Sequence, residues 1–401
     1  MHAGARTPLA RGDRRLIVRV AVVDPQAFTP PYDDELCRAL SAAGAEVELL
    51  TARFTHGEPP VAHGYVRREV FGPPLAGLIA RRPGSRARIP LKAAGHAVGL
   101  ARLVRRARAW HPDVVHWQWA PSPSLDLRAL RAARHEARAT VFTAHDVLPR
   151  RSRNAAPLWA ELYASCDRVI VHGAASRDRL LVEVGGVPAD RIAVIPHALL
   201  HSGAGIDARP EQLASRILFF GLIRPDKGLD VLIEALPVVA RRVPDVTLDV
   251  VGSPRMPIEP LRARAAALGM TGRITWDLRF VAESEVTSVF GRARAVALPY
   301  RWIEGSGVLA TALAQGVPPV MTAVGTFPEL CASYDLGDPV APDDPAALAD
   351  GLVRALTDPA ARAHAIAGMA RARAELTWER TARMTLDLYE RAVANPGRGS
   401  R

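Results

Sequence analysis

The stretch ILFFGLIRPDKGLDVLIEAL, Ile217 to Leu236, decides the fold class of this chain. It begins with a short apolar run of β formers, which predicts a buried strand. The apolar residues that follow Gly228 recur at i, i+3, i+4 and i+7, which predicts a helix with one buried face. A strand, a glycine turn and a helix in this order are the repeating unit of an α/β protein with parallel sheets.

The turn of this unit carries two cations, Arg224 and Lys227, between the glycines Gly221 and Gly228. Glycine allows a sharp turn and a close approach of the backbone to a ligand. The N-terminus of a helix favours an anion, and the two side chains add full positive charges. The local sequence alone leaves two interpretations open, a diphosphate site and a solvated loop.

A second unit of the same kind follows about 80 residues later. Ala295–Leu298 predicts another buried strand, which Pro299 ends. Glu304 and the small residues Gly305–Gly307 then open a helix that we expect over Val308–Gln315, and a strand is expected from Pro318. Small residues before a helix leave backbone amides free for an anion. Because ligands of doubly wound folds bind at the carboxyl ends of the strands, two such units favour the diphosphate site.

These motifs resemble those of the retaining glycosyltransferase family 4, and the resemblance covers most of residues 15–393. It implies the GT-B fold, an α/β architecture of two Rossmann-like, doubly wound parallel-sheet domains facing a central cleft. A C-terminal helix is expected to cross back to the first domain. The predicted segments are a flexible tail 1–13, an acceptor-side domain 14–199, a linker 200–215, a nucleotide-sugar-binding domain 216–375, a crossover helix 376–393 and a tail 394–401.

The resemblance also assigns a donor site for a UDP- or GDP-sugar. It implies that the cationic turn binds the diphosphate, that Glu304 faces the donor sugar and that backbone after a strand at Ile274–Trp276 contacts the base. The residues assigned to catalysis are His145, Arg224, Lys227 and Glu304. The residues assigned to donor binding are Gly221, Gly228, Arg279, Phe280, Val281, Ser306, Gly307, Val308 and Leu309.

One position departs from the family pattern. Family members usually carry a second glutamate eight positions after the first, where it holds the ribose hydroxyls, and this chain has Ala312 there. If the helix lies as it does in the family, residue 312 faces the ribose. Ala312→Glu is then expected to tighten nucleotide binding, or leave it unchanged, with little effect on stability.

The acceptor side is predicted from loops of the first half. His145 follows a predicted strand at Thr140–Phe142, and the resemblance implies that this histidine approaches the reacting sugar; a histidine that merely caps the next segment is the alternative. Asp146 is expected to orient it. Trp117 and Trp119 either stack on a sugar or belong to the core.

The first helix is expected to begin near Asp33, after the strand Leu16–Val23. Tyr32 and Asp33 stand where family members often have a pair of glycines. An acidic side chain repels phosphate. These residues are therefore expected to face acceptor hydroxyls, or to cap the helix.

The formal charge of +11 lies wholly in the first half of the chain, where residues 1–200 hold 29 cations and 18 anions. It is concentrated in residues 81–108, which are rich in arginine, and an apolar stripe including Leu100 and Leu103 accompanies it. A basic amphipathic helix of this kind binds an anionic membrane surface. The alternative is a solvated helix in a chain that uses arginine in place of lysine throughout. Without interleaved aromatic residues, the charge does not predict nucleic-acid binding.

The sequence therefore predicts a cytoplasmic enzyme, peripheral to the membrane if the basic helix docks there. We expect a metal-independent hexosyltransferase that needs no cofactor, with an acceptor that the sequence does not identify. The cysteines lack metal-binding spacing, and no paired carboxylates suit a covalent glycosyl intermediate. Two alternatives remain open: a non-catalytic GT-B scaffold subunit, and another GT-B enzyme such as a sugar-nucleotide epimerase or a phosphorylase.

Overall fold

A computed structural model describes residues 18–55, 59–72, 88–149, 155–200 and 215–397, apart from the side chains of residues 88–92. The predicted tail 1–13, the linker from residue 201 to residue 214 and residues 398–401 lie outside this part of the chain. The described residues form two parallel β-sheets, one of seven strands and one of five, with helices around them. This architecture confirms the predicted fold class.

The first sheet has the strand order β3-β2-β1-β4-β5-β6-β7. The order reverses between β1 and β4, so that the loops after these strands open a crevice at the carboxyl edge of the sheet. Its strands are β1 (Arg19–Asp24), β2 (Glu46–Ala52), β3 (Val66–Phe71), β4 (Val114–Trp117), β5 (Ala139–Thr143), β6 (Arg168–Val171) and β7 (Ile192–Val194).

The second sheet has the order β10-β9-β8-β11-β12 and reverses between β8 and β11, the strands of the two predicted anion-binding units. The strands β8 and β11 lie at the predicted positions. Its strands are β8 (Arg216–Phe220), β9 (Thr247–Val251), β10 (Ile274–Asp277), β11 (Ala295–Leu298) and β12 (Pro319–Met321).

The helices of the described residues cover the faces of both sheets. Those of the first half are α1 (Pro30–Ala42), α2 (Arg88–Trp110), α3 (Pro123–Arg134), α4 (Ala156–Ala164) and α5 (Ala174–Arg179). Those of the second half are α6 (Leu229–Arg242), α7 (Glu259–Ala267), α8 (Glu283–Gly291), α9 (Gly307–Ala314), α10 (Phe327–Tyr334), α11 (Pro345–Thr357), α12 (Pro359–Glu375) and α13 (Trp378–Ala394).

The last helix, α13, returns to the first sheet and packs on α1 and β5. Its Trp378 indole donates a hydrogen bond of 2.8 Å to the carbonyl of Leu199, and Tyr389 lies 2.6 Å from the ring of His116. The predicted crossover is therefore confirmed. Nothing in these contacts fixes the predicted domain boundaries, which stay predictions.

Helix α1 begins at Pro30 and not near Asp33, so that prediction was wrong by three residues. Proline is favoured at the first helical position because its missing N–H would have no partner there. The acidic pair that suggested the start instead lies within the first turns of the helix.

The basic helix α2 buries part of its predicted apolar stripe, whereas Val98 on the same helix is 43% exposed. Residues 81–87 of the basic segment lie outside the described residues, but Leu100 and Leu103 are buried in the same core cluster as Trp117. Arg102 and Arg105 are exposed. Across the described part of the chain, no helix combines the length and apolarity that crossing a bilayer requires.

Candidate active site

The cationic turn is held in place by the second anion-binding unit. Gly221 and Gly228 both have positive φ, at 103° and 66°. A Cβ on Gly228 would lie 1.9 Å from the carbonyl oxygen of Pro299, so that only glycine fits there. The turn after β8 is thereby pressed against the loop after β11.

The two cations of the turn differ in exposure, since Lys227 is desolvated whereas the Arg224 side chain is 41% exposed. The ammonium of Lys227 lies 3.7 Å from the centre of the Tyr300 ring, a cation–π contact. Burial, and to a lesser degree the neighbouring Arg224, lowers the pKa of Lys227 to about 7. Arg224 donates to Asp226 at 2.8 Å, while its Nε is buried without a hydrogen-bond partner. An anion bound here would pair with both cations.

The start of α9 lies beside this turn. A Cβ on Gly221 would lie 3.2 Å from Cγ2 of Val308 in the first turn of α9. The hydroxyl of Ser306, the N-cap residue, accepts a 3.2 Å hydrogen bond from the amide of Leu309. That amide was predicted to bind the donor, but the cap already occupies it. The helix N-terminus still directs its dipole toward the cationic turn.

Glu304, predicted to face the donor sugar, is bound by the first half of the chain. Its carboxylate is buried, accepts a 2.9 Å hydrogen bond from the hydroxyl of Ser176 and forms an ion pair with Arg179. The backbone carbonyl of Glu304 also accepts from the hydroxyl of Thr326 at 2.9 Å. Sequence reasoning missed Ser176 and Arg179, which lie 128 and 125 residues away with no motif to mark them.

Ala312 does not face open space. It is completely buried in the core cluster that also holds Leu309 and Leu313. The premise that residue 312 looks toward a ribose is therefore wrong for this chain. The short helix α9 is apolar on every side, so its sequence gives no sign of which face is covered.

The residues expected to contact the base follow β10. Arg279 is exposed and paired with Asp277 and Glu285, at 2.9 Å and 2.7 Å. Phe280 is 45% exposed and contacts Phe54 of the first half, with ring centroids 5.9 Å apart. The contact of this backbone with a base stays a prediction. Val281, the next residue, is buried in the core.

On the opposite wall, consecutive strands of the first sheet bring histidines together. His116 lies within β4, while His145, His172 and His197 lie just beyond β5, β6 and β7. The edge of the Tyr32 ring contacts His145, with centroids 4.8 Å apart, and Trp119 stacks on the same histidine at 4.8 Å and 15°.

Both ring nitrogens of His145 have partners. Nδ1 lies 3.2 Å from Nε2 of His172, and Nε2 lies 2.9 Å from the Gln118 side-chain amide. Burial lowers the pKa of His145 well below its ordinary value, and His172 and His197 lower it further, so the ring is neutral. His172 Nδ1–H donates to the carbonyl of Ile195 at 3.0 Å, so its Nε2 is an acceptor, and the Gln118 Oε1 that lies beside His145 Nε2 is an acceptor as well. A neutral His145 has a single N–H, which it donates to one of these two acceptors.

We expect His145→Ala to lower turnover by at least roughly tenfold. The loss of a group beside the reacting centre lowers the rate of the reaction more than it lowers the affinity for the nucleotide. Nucleoside diphosphate affinity, measured by calorimetry, should change little. His135→Ala, on an exposed position of the same half, is the control. Loss of nucleotide binding in a folded His145→Ala protein would place the residue on the donor and contradict this role.

Two predicted acceptor-side roles need correction. Trp117 is fully buried in the core because it is the last residue of β4, whereas Trp119 lies beyond the strand end and reaches His145. Asp146 does not orient His145, whose nitrogens are bonded elsewhere. Burial raises the pKa of Asp146, and the positive charges of Arg224 and Lys227 oppose this effect.

Asp33 is also not presented to an acceptor. It is buried, as is Asp24 at the end of β1, and the two carboxyl groups share a hydrogen bond that requires one proton. Burial raises the pKa of Asp33 well above its ordinary value, and Asp24 raises it further. One oxygen of Asp33 is buried without a partner. Tyr32 is likewise buried, beneath the histidines.

We expect Asp33→Asn to stabilise the protein, more at pH 8 than at pH 4. Folded Asp33 holds its proton to a higher pH than the unfolded chain does, so the wild type loses stability as the pH rises above the ordinary aspartate range. The amide keeps the hydrogen bond to Asp24 without a charge. The melting temperature at pH 8 should rise by roughly 2–4 °C, the shift that about 1 kcal/mol causes in a domain of this size. An equal change at both pH values, or the same gain in the exposed control Asp387→Asn, would contradict the shared proton.

The geometry can be compared with known proteins. Residues 34–199 match the family model described as Glycosyltransferase Family 4, and residues 214–358 match Glycosyl transferases group 1. The chain belongs to glycosyltransferase family 4. The two matches fall on the two halves that carry the two sheets.

Curated relatives of this glycosyltransferase include the D-inositol 3-phosphate glycosyltransferase of Salinispora tropica, 28% identical over 400 residues, 90% of this chain and 80% of the relative. A phosphatidyl-myo-inositol mannosyltransferase of Mycobacterium tuberculosis is 28% identical over 298 residues, 71% of this chain and 75% of the relative.

Solved structures show the same fold. Sucrose-phosphate synthase from Thermosynechococcus elongatus has a TM-score of 0.72 at 20% identity, covering 94% of this chain and 99% of that one. Anabaena HepE in complex with UDP-glucose has a TM-score of 0.68 at 19% identity, covering 92% and 99%. At these identities the likeness concerns the GT-B fold alone.

Proposed function

We propose that this glycosyltransferase moves a hexose from a nucleoside-diphosphate sugar to an acceptor hydroxyl with retention of anomeric configuration. The observation that carries the proposal is the position of the cationic turn, with Arg224 and Lys227, beside the N-terminus of α9. A diphosphate at this place would meet two cations and the N-terminus of a helix. One of the cations, Arg224, has a buried Nε–H without a hydrogen-bond partner.

In the proposed reaction, the bond between the anomeric carbon and the diphosphate breaks, and these groups stabilise the charge that develops on the leaving phosphate. The acceptor hydroxyl attacks from the same face, and its proton passes to the leaving phosphate. Two protein cations and the amides of α9 take the place of a metal ion in this scheme.

The donor is proposed to be a UDP- or GDP-sugar. HepE was solved with UDP-glucose, which supports a uridine donor, while the name of the mycobacterial relative supports mannosyl transfer. Both curated relatives act on inositol-based acceptors, as their names state, so inositol phosphates are suitable first acceptors to test.

A peripheral contact with the cytoplasmic membrane surface is proposed through the basic segment 81–108. Because Leu100 and Leu103 pack into the core, this contact would rest on charge, including the exposed Arg102 and Arg105, and not on an inserted apolar face. Sedimentation with anionic vesicles at low and high salt tests it.

The test of the reaction uses purified protein with UDP-glucose, GDP-mannose and related donors, with and without inositol phosphates. We expect release of nucleoside diphosphate, undiminished by EDTA, and a product whose anomeric configuration, read by NMR, matches that of the donor. Nucleoside diphosphates should also raise the melting temperature by mass action. If no diphosphate shifts melting and no donor turns over, the chain is a scaffold that keeps the fold.

A further inference from the structure

The buried carboxylate of Glu304 is held by α5, a helix from the other half of the chain. Ser176 donates to one carboxylate oxygen at 2.9 Å, and the guanidinium of Arg179 pairs with the other. Glu304 is only 2% exposed. A buried carboxylate is costly unless charged or polar partners surround it, so these two contacts stabilise Glu304 and fix its orientation.

Arg179 is itself fixed in place. Its Nε and Nη2 donate to Glu183 at 2.8 and 2.6 Å, and its guanidinium lies 5.8 Å from the centre of the Trp302 ring. A guanidinium has five N–H donors in a rigid plane, so one side chain can bridge two carboxylates. The direction in which Arg179 meets Glu304 is thereby determined by two neighbours, Glu183 and Trp302.

A second contact joins α5 to the other half. The carboxylate of Glu329 in α10 accepts hydrogen bonds from the backbone amides of Ala174 and Ala175, at 2.9 and 3.5 Å, at the start of α5. A Cβ on Gly173 would lie 2.7 Å from this carboxylate. Helix α5 is thus seated between two glutamates of the second half, and its position sets where Arg179 reaches.

We propose that Arg179 is a positioning residue that aligns Glu304 with the donor sugar when α5 is seated against α10. The proposal rests on the proposed function, in which Glu304 contacts that sugar. An ionised carboxylate has about four acceptor positions. Arg179 and Ser176 take one position on each oxygen and leave one on each for sugar hydroxyls. Glu304 is then correctly oriented for the sugar only while α5 of the first half stays in contact with the second half.

The first test separates positioning from binding of the nucleotide. Arg179→Met should lower kcat by roughly tenfold or more, while the affinity for the nucleoside diphosphate, which has no sugar, should stay within about twofold of the wild type. Arg179→Lys keeps a charge and should restore part of kcat. Arg131→Met, which breaks an exposed ion pair with Glu161, is the matched control and should leave kcat near the wild type. A loss of diphosphate affinity equal to the loss of kcat, or no rescue by lysine, would overturn the proposal.

The second test is a double-mutant cycle with Glu304→Gln. If Arg179 acts through Glu304, its substitution should have little further effect once Glu304 is neutral; additive losses would overturn the positioning role. The cycle also separates the two proposals. Full turnover in Glu304→Gln would contradict the sugar contact, whereas impaired Glu304→Gln beside an unimpaired Arg179→Met would contradict the positioning alone. Ser176→Ala repeats the cycle if Arg179→Met does not fold.

Discussion

Lys227→Ala should lower turnover by roughly 100-fold or more, the scale on which a lost transition-state charge contact acts. The ammonium lies over Tyr300 beside Arg224, where burial lowers the pKa of Lys227 to about 7. A diphosphate bound there holds the lysine in its charged form, and the low dielectric of the site strengthens the attraction between the two charges. Arg224→Ala should have an effect of similar size, since its Nε is buried and unpartnered in the described structure.

The lowered pKa of Lys227 also predicts how the affinity for a nucleoside diphosphate depends on pH. The free enzyme loses the Lys227 charge above pH 7, whereas a bound diphosphate retains it, so binding requires proton uptake there. The affinity of the wild type for a nucleoside diphosphate should therefore fall above pH 7.5, by up to about tenfold per pH unit. Lys227→Ala should lack this dependence.

Calorimetry from pH 7.5 to 9 and steady-state kinetics measure both effects. Arg241→Ala, an exposed cation at the far end of α6, is the matched control. Wild-type turnover in both Lys227→Ala and Arg224→Ala would show that the turn does not bind the diphosphate. A wild-type affinity that does not vary with pH would show that Lys227 stays charged without its ligand.

The cationic turn could be predicted because its determinants are local. An apolar run must be buried, and the glycines permit a turn that other residues cannot form, as the 1.9 Å approach at Gly228 shows. The same reasoning located β8, β11 and the start of α6 within a residue or two, while α6 continues to Arg242, beyond the predicting pattern.

The contacts that build the opposite wall could not be predicted, because they join distant residues. Arg179 and Glu304 are 125 residues apart, and neither has a sequence pattern that names the other. Trp117 and Trp119 illustrate a subtler limit. Alternation places residues two apart on one face only within a strand, and β4 ends at Trp117. Asp33 was misassigned because an acidic residue in a first turn is ordinarily exposed, whereas here it shares a proton with Asp24.

Ala312→Glu should destabilise the protein by several kcal/mol, the cost of placing a carboxylate in an apolar interior without a partner. Ala312 is completely buried among apolar side chains, in a helix that packs on α12. The melting temperature should fall by roughly 10 °C or more, given about 2–4 °C for each kcal/mol in a domain of this size. This reverses the expectation drawn from the family pattern, in which a glutamate at this position reaches the ribose.

The decisive comparison is with Ala367→Glu, an exposed position within α12, which should leave melting nearly unchanged. Nucleotide titration of Ala312→Glu shows which requirement governs the position. A stable variant that binds nucleoside diphosphate more tightly would mean that α9 rearranges to present residue 312 to the ribose, and would restore the family arrangement. A large loss of stability with no gain in affinity would mean that the position of the family's second glutamate belongs to the hydrophobic core in this glycosyltransferase. The ribose hydroxyls would then bind to other residues of the cleft.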